Sequence, residues 1–327
     1  MMKKIIIAVT ATLLAVVLVF YATASTENDS SKIQSFEGLI SELIDLQDHQ
    51  NKIWTPESKN PKLEAELTKK MEKSEPDGKV GVIILLKSRP PILSTESQKS
   101  VISVLRDSDG GIKYQYHIIN GIAAIMPARS IKAVADRSDV ECIYLDRKIQ
   151  LPEPPEPEKS YGGIHVESLG AAMTTEDQVW DEGINGSGIV VAVIDTGIDK
   201  NHPDLYGKVI AEKNFVEDEP TTDDLHGHGT HCAGIIAGTG EASGGRYRGV
   251  APGATLMNAR VLDSEGSGYL SDVIAGIEWT VDNGADVISI SLGGSHSGDV
   301  YAKPDCMAVN AAMDAGVVVC VAAGNSG

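Results

Sequence analysis

An unbroken apolar run from Ile189 to Ile194 ends on Asp195, with Thr196-Gly197 directly behind it. Such a run suits a parallel strand covered on both faces, because a half-exposed strand would alternate polar and apolar residues. The turn at Gly197 then leaves the Asp195 carboxylate at the carboxyl end of the sheet, where ligands of open α/β sheets gather. Further along, His228 opens a stretch of very small residues, Gly229-Thr230-His231-Cys232-Ala233-Gly234. Side chains that small let a helix approach its neighbours closely and leave the ring exposed at its tip. A helix N-terminus disfavours the imidazolium, which helps keep the ring able to accept a proton. An ionised Asp195 on the other ring nitrogen would fix the tautomer and stabilise the cation as it forms.

The surroundings of these two motifs have the same character. Thr255 to Val261, Val287 to Ser291 and Val317 to Ala322 are further continuous apolar runs, with helical stretches at Leu270 to Asn283 and Ala308 to Ala315 between them. Alternating strands and helices define an α/β class with a parallel sheet and right-handed crossovers. Upstream the order changes. Val80 to Leu86 reads as a buried strand, Ser97 to Arg106 as a helix, Ile112 to His117 and Ile122 to Met126 as strands about Asn120-Gly121, Ile131 to Ala135 as a helix, and Val140 to Tyr144 as a strand. Strand–helix–strand–strand–helix–strand is the split βαβ (ferredoxin-like) arrangement of a small α+β domain. A chain of 327 residues accommodates both units.

The ends and joins are polar or processed in character. Met1-Met2-Lys3-Lys4, an apolar run from Ile5 to Phe20 and Ala22-Thr23-Ala24 read as a secretory signal over residues 1–24, with an uncleaved membrane anchor as the alternative. Residues 25–77 are polar with helical stripes, one at Ile33, Phe36, Ile40, Leu43 and Ile44 and another at Leu63, Leu67 and Met71. Residues 151–169 begin with the acidic, proline-rich Leu151-Pro152-Glu153-Pro154-Pro155-Glu156, an extended linker open to proteolysis. The net charge of −18 argues against nucleic acid as a partner. Four scattered cysteines, Cys142, Cys232, Cys306 and Cys320, make no disulfide scaffold and read as free thiols.

Asp195-Thr196-Gly197, His228-Gly229-Thr230-His231 and Ala322-Ala323-Gly324-Asn325-Ser326-Gly327 together resemble the subtilases, the subtilisin-like serine proteases. Tyr116-His117-Ile118-Ile119-Asn120-Gly121 and Val140-Glu141-Cys142-Ile143-Tyr144-Leu145-Asp146 resemble the subtilisin propeptide, which in that family chaperones the catalytic domain and blocks its cleft. The resemblance implies a subtilisin-like catalytic domain over residues 170–327 preceded by an inhibitory propeptide over 78–150. It implies Asp195 and His228 as acid and base of a serine relay, and Asn325 as the amide that donates to a developing oxyanion. Gly266-Ser267-Gly268 and Ser291-Leu292-Gly293 would flank an extended peptide substrate, and Ala323 and Gly324 would line its specificity pocket. The family's Gly-Thr-Ser-Met-Ala type segment is not in these 327 residues, so the catalytic domain is expected to be incomplete, stopping before the attacking serine. His202-Pro203-Asp204-Leu205 resembles a segment whose aspartate can ligate a structural calcium, although Gly-rich Thr239 to Arg248 departs from the partner loop of that site. No other cofactor is implied.

The implied protein is a secreted endopeptidase zymogen whose partners are peptide or protein substrates and its own propeptide. Two other readings stand beside it. His226, His228 and His231 could form the ligand cluster of a metal hydrolase. Alternatively, residues 79–150 could act as a secreted inhibitor, the rest being a pseudoprotease. Within the histidine cluster, His226 reads as a loop residue near the substrate and His231 as a buried, hydrogen-bonded packing residue.

Overall fold

The computed structural model describes residues 62–87, 95–151, 180–293 and 303–323. The expected signal, the first helical stripe, nearly all of the proline-rich linker, and Gly324 and Asn325 lie outside the described residues.

The upstream unit begins with α1 (Ala65–Glu72), followed by β1 (Lys79–Leu86), α2 (Thr95–Asp107), β2 (Gly111–Tyr116), β3 (Gly121–Pro127), α3 (Ala128–Ala135) and β4 (Val140–Leu145). The sheet order is β2-β3-β1-β4, with β1 antiparallel to both neighbours, as the split βαβ pattern requires. β1 shows why its sequence is apolar throughout. Val80, Val82, Ile84 and Leu86 enter one core with Val101, Leu105, Ile131 and Val134 of the helices. Ile83 and Leu85 enter a different core on the opposite face, together with Ile274, Ile277, Ala308 and Ala312 of the downstream unit.

The second helical stripe belongs to this sheet rather than to a separate polar segment. Leu67 is fully buried, Leu63 bridges to Ile143, and both share the core of β1. Packing is therefore continuous across the expected boundary at residue 77. Leu67→Ala removes a side chain with 0% exposure, and we expect a loss of about 2–5 kcal/mol, read as a lower urea midpoint at unchanged m-value.

Between β4 and the linker lies β5 (Lys148–Gln150). The downstream unit contains β6 (Val190–Asp195), β7 (Val209–Asn214), α4 (His228–Ala237), β8 (Thr255–Arg260), β9 (Ser267–Tyr269), α5 (Leu270–Asp282), β10 (Val287–Ile290), α6 (Pro304–Asp314) and β11 (Val318–Val321). Its five-stranded sheet runs β11-β10-β6-β8-β7, and every neighbouring pair is parallel. β6 is the central strand and is covered on both sides. Val191 and Val193 pack with Ala233 and Ala237 of α4, while Ala192 and Ile194 pack with Ile274 and Ile277 of α5.

Outside that sheet, β5 pairs antiparallel with β9. Cys142 is buried, Cys232 and Cys306 are half-buried and Cys320, on the edge strand β11, is exposed; none of the four forms a disulfide. Among the described residues no helix is long and apolar enough to cross a membrane.

Candidate active site

Asp195 is the last residue of β6 and is 1% exposed. Beyond it Gly197 has φ +114°, and a Cβ there would lie 2.8 Å from the Thr222 carbonyl oxygen, so the turn after the strand accepts only glycine. His228 is the first residue of α4, entered through Gly227 at φ +100°. The small residues of α4 serve contact at one point above all. A Cβ on Gly229 would sit 2.2 Å from the Gly197 carbonyl oxygen and 3.1 Å from Asp195 Cβ. The helix tip is thereby seated directly on the strand end.

His228 Nδ1 donates to Asp195 Oδ1 at 2.7 Å, and the same oxygen accepts the Thr196 N–H at 2.7 Å. Asp195 Oδ2 is buried with no donor among the described residues. His228 Nε2 has no partner among them either, leaving one ring nitrogen on the carboxylate and the other available. Cys232, one turn along α4, places Sγ 3.9 Å from Nδ1.

This arrangement overturns the expected electrostatics of the ring. The hydrogen bond to Asp195, then that to Cys232, outweighs desolvation and pushes the His228 pKa up from 6.5 to about 10. A helix N-terminus acts on the imidazolium by less than about 1 kcal/mol on an exposed surface, whereas a charge-assisted bond to a buried carboxylate contributes about 1.5–3 kcal/mol. The raised value stabilises the fold below the ring's unfolded pKa of 6.5, and that contribution is lost as pH rises through about 10. Asp195→Asn should return the His228 titration toward its ordinary range, followed by the ring-proton NMR shift, and should flatten this part of the Tm–pH curve.

The three histidines do not converge on a common point. His226 is exposed, with its ring centroid 6.4 Å from that of His228. His231 is exposed with no side-chain partner among the described residues, contrary to its expected burial, because it faces away from the contact made by Gly229 and Ala233. The group whose ligand atoms do gather, within 4.8 Å, is Asp195, His228 and Cys232. An ion there would compete for the nitrogen that already binds Asp195, so the donor set suits a relay better than a metal centre. At the suggested calcium segment, Asp204 Oδ1 accepts the Ala242 N–H at 2.8 Å, which ties down the glycine-rich loop.

The expected substrate strands fare differently. Ser267 and Gly268 are paired with the chain's own β5, with Ile149 opposite Gly268 and Gln150 opposite Ser267, and Leu151 N–H donates to Gly266 O at 2.9 Å. A Cβ on Gly266 would meet Leu151 Cδ1 at 3.1 Å and His226 Nε2 at 3.2 Å, so His226 stands beside the occupied strand. Ser291 to Gly293 follow β10 at the sheet rim, with Leu292 buried and Gly293 exposed. Ala323 is exposed after β11.

The upstream sheet is held over α5 by polar contacts as well as by its apolar face. Asp146 accepts from Ser271 N–H at 2.8 Å and Ser271 Oγ at 2.7 Å, supplying a cap to a helix whose N-cap residue, Tyr269, has none. Tyr116 donates to Ser271 O at 2.8 Å, Tyr114 donates to Asp272 at 2.7 Å, and Glu278 accepts the Ile118 N–H at 2.7 Å.

Sequence reasoning passed over two groups that organise this site. Arg260, which is 0% exposed, donates Nε to Thr196 O at 3.0 Å and Nη1 to Thr221 O at 2.9 Å, and pairs with Glu219. A lone arginine inside the apolar run Thr255 to Val261 was the available signal. The other is Asp224, four residues before His228 and so in the region where helix caps are found.

A buried carboxylate and an imidazole are thus joined at the carboxyl rim of a parallel sheet, beside a strand already paired with an extended segment of the chain. Residues 186–327 match the family model for subtilases, peptidase S8, and residues 81–152 match that for peptidase inhibitor I9. The chain is similar to the serine protease AprX of Bacillus subtilis, 37% identical over 226 residues that cover 66% of this chain and 48% of that protein. It is also similar to thermitase of Thermoactinomyces vulgaris, 46% identical over 150 residues that cover 46% of this chain and 52% of that one. Among solved structures, fervidolysin from Fervidobacterium pennivorans, described as a keratinolytic enzyme related to subtilisin, aligns with a TM-score of 0.56 and 28% identity over 76% of this chain and 40% of that one. The chain spans about half the length of the curated relatives it matches.

Proposed function

We propose that the chain is part of a secreted serine endopeptidase zymogen, with the catalytic domain beginning near residue 170 and residues 78–150 acting as its inhibitory propeptide. The observation that carries this reading is the 2.7 Å contact between His228 Nδ1 and Asp195 Oδ1, beside a strand occupied by the chain itself. Asp195 holds the tautomer and balances the cation; His228 takes a proton on Nε2 and returns it to the leaving amine. The attacking serine belongs to the part of the family fold that these 327 residues do not span, and Asn325 would donate to the oxyanion. A hydroxyl seated on Nε2 also desolvates the ring, which moves it toward the neutral form a base requires. Residues 1–24 would direct export.

The β5–β9 register supports a substrate class. Ile149 is 7% exposed opposite Gly268, and Leu151 lies against Gly266, while Lys148 and Gln150 point outward. Alternate residues of an extended peptide would thus enter apolar subsites, with backbone pairing supplying the rest of the affinity. In the peptidase with its complete family core, cleavage within residues 152–169 should release activity toward fluorogenic peptides carrying branched aliphatic residues at those two alternate positions. Exchanging either for aspartate should lower kcat/KM by about 10–200-fold, the scale on which an apolar pocket discriminates. Full activity before any such cleavage, or turnover that survives Asp195→Ala together with His228→Ala, would sink the reading.

A further inference from the structure

Asp224 touches neither Asp195 nor His228, yet the segments that place both residues end on its carboxylate. Its Oδ1 accepts the backbone N–H of His226 at 3.0 Å, that of Gly227 at 2.8 Å, and the Thr196 hydroxyl at 2.9 Å. Its Oδ2 accepts the Thr230 N–H at 2.8 Å and the Thr230 hydroxyl at 2.6 Å. Each hydroxyl is also an acceptor. Thr196 Oγ1 already accepts the Gly229 N–H at 2.9 Å, and Thr230 Oγ1 accepts the Asp199 N–H at 2.9 Å. All five groups facing Asp224 donate to it, a set that an ionised carboxylate satisfies in full. Burial opposes that charge, but the bonds from Thr230, Gly227 and Thr196 outweigh it and hold the carboxyl below its usual range.

The loop that carries Asp224 is itself pinned from behind. Arg260 Nη1 donates to Thr221 O at 2.9 Å, and Asn258 Nδ2 donates to Thr222 O at 2.8 Å, both from the buried strand β8. Thr196, bound by Asp224 through its hydroxyl, donates its own N–H to Asp195 Oδ1. A closed circuit therefore runs from Asp195 through Thr196 and Asp224 to the first turn of α4, and returns through His228.

We infer that Asp224 is a positioning residue for the Asp195–His228 pair, locking the first turn of α4 to the strand end and so setting the distance and ring orientation at which the proton is passed. The inference rests on the reading of that pair as a catalytic relay. An asparagine at this position would turn one acceptor into a donor. Placed toward Thr230, its amide would face an N–H that cannot rotate; placed the other way, it would face the N–H groups of His226 and Gly227. Either choice forces the helix tip outward.

The test is proton NMR of the full 327-residue chain, at a pH where His228 is protonated, following the downfield resonance of Nδ1–H bound to Asp195; His228→Ala assigns it. Asp224→Asn should erase this resonance or speed its exchange with solvent at least several-fold, and should lower the His228 titration midpoint, while the thermal transition stays cooperative. An unchanged resonance and midpoint in Asp224→Asn overturns the inference and leaves the relay reading standing. Should Asp224→Asn fail to fold, Thr230→Val is read instead: a smaller change in the same direction supports the inference, and no change overturns it. Absence of the resonance in the unsubstituted chain removes the relay reading, and the inference falls with it.

Discussion

His228→Ala should lower peptide turnover by at least about 10²–10⁴-fold in the protease with its complete family core, the ordinary contribution of a positioned acid–base group. His226→Ala should leave kcat within about tenfold and act mainly on KM, because a pocket wall contributes to binding rather than to proton transfer. The two histidines are close neighbours in sequence but differ in every structural respect. His228 is held at 2.7 Å to a buried carboxylate, whereas His226 lies on an exposed loop with its Nε2 beside Gly266. Steady-state kinetics on both variants distinguish them. Equal losses would mean that the base has been misassigned.

Gly229→Ala should be strongly damaging for a single-methyl change. Its Cβ would fall 2.2 Å from the Gly197 carbonyl oxygen, a backbone atom in a turn already held at φ +114°. Relief requires α4 to retreat, which lengthens the 2.9 Å bond from Gly229 N–H to Thr196 Oγ1 and separates His228 from Asp195. Overpacking of this kind costs about 3 kcal/mol or more when backbone has to move. Gly234 lies in the same helix, and a methyl group added there would meet nothing within 4 Å, so Gly234→Ala should instead stabilise by about 0.5–1 kcal/mol through helix propensity. Paired urea melts decide the matter: similar midpoints for the two variants would contradict the seating of the helix on the strand end.

The parts of this fold that were plain in the sequence are those where burial is two-sided. β6, β8 and β10 follow their apolar runs closely, and the split βαβ unit emerges in the expected order; β11 also follows its run, although it lies exposed at the sheet edge. β7 was missed because it lies at the sheet edge, where Val209 to Asn214 mix exposed and half-buried residues and carry no continuous apolar signal. β5 and β9 are three residues each, too short for periodicity, and their pairing depends on where the upstream sheet docks. The second helical stripe is legible as a helix, but its neighbour is not, since nothing local says that Leu63 and Leu67 reach the core of β1.

The site divides along the same line. Asp195 and His228 were legible because the run before one and the small residues after the other constrain where each can stand. The charge state of the ring was not legible, because it depends on a 2.7 Å contact between residues from different crossover units. Asp224 and Arg260 escaped for the same reason: a carboxylate with five donors and a guanidinium on four backbone or side-chain oxygens take their meaning only from a folded neighbourhood.

A diffraction structure of the chain that resolves the His228 ring puts the central claim to its most direct test. It should find Nδ1 within hydrogen-bonding distance of Asp195 Oδ1, with the Gly229 N–H on Thr196 Oγ1 and Nε2 turned toward the open rim. An Asp195 carboxylate bound elsewhere, with the imidazole out of its reach, would contradict the account.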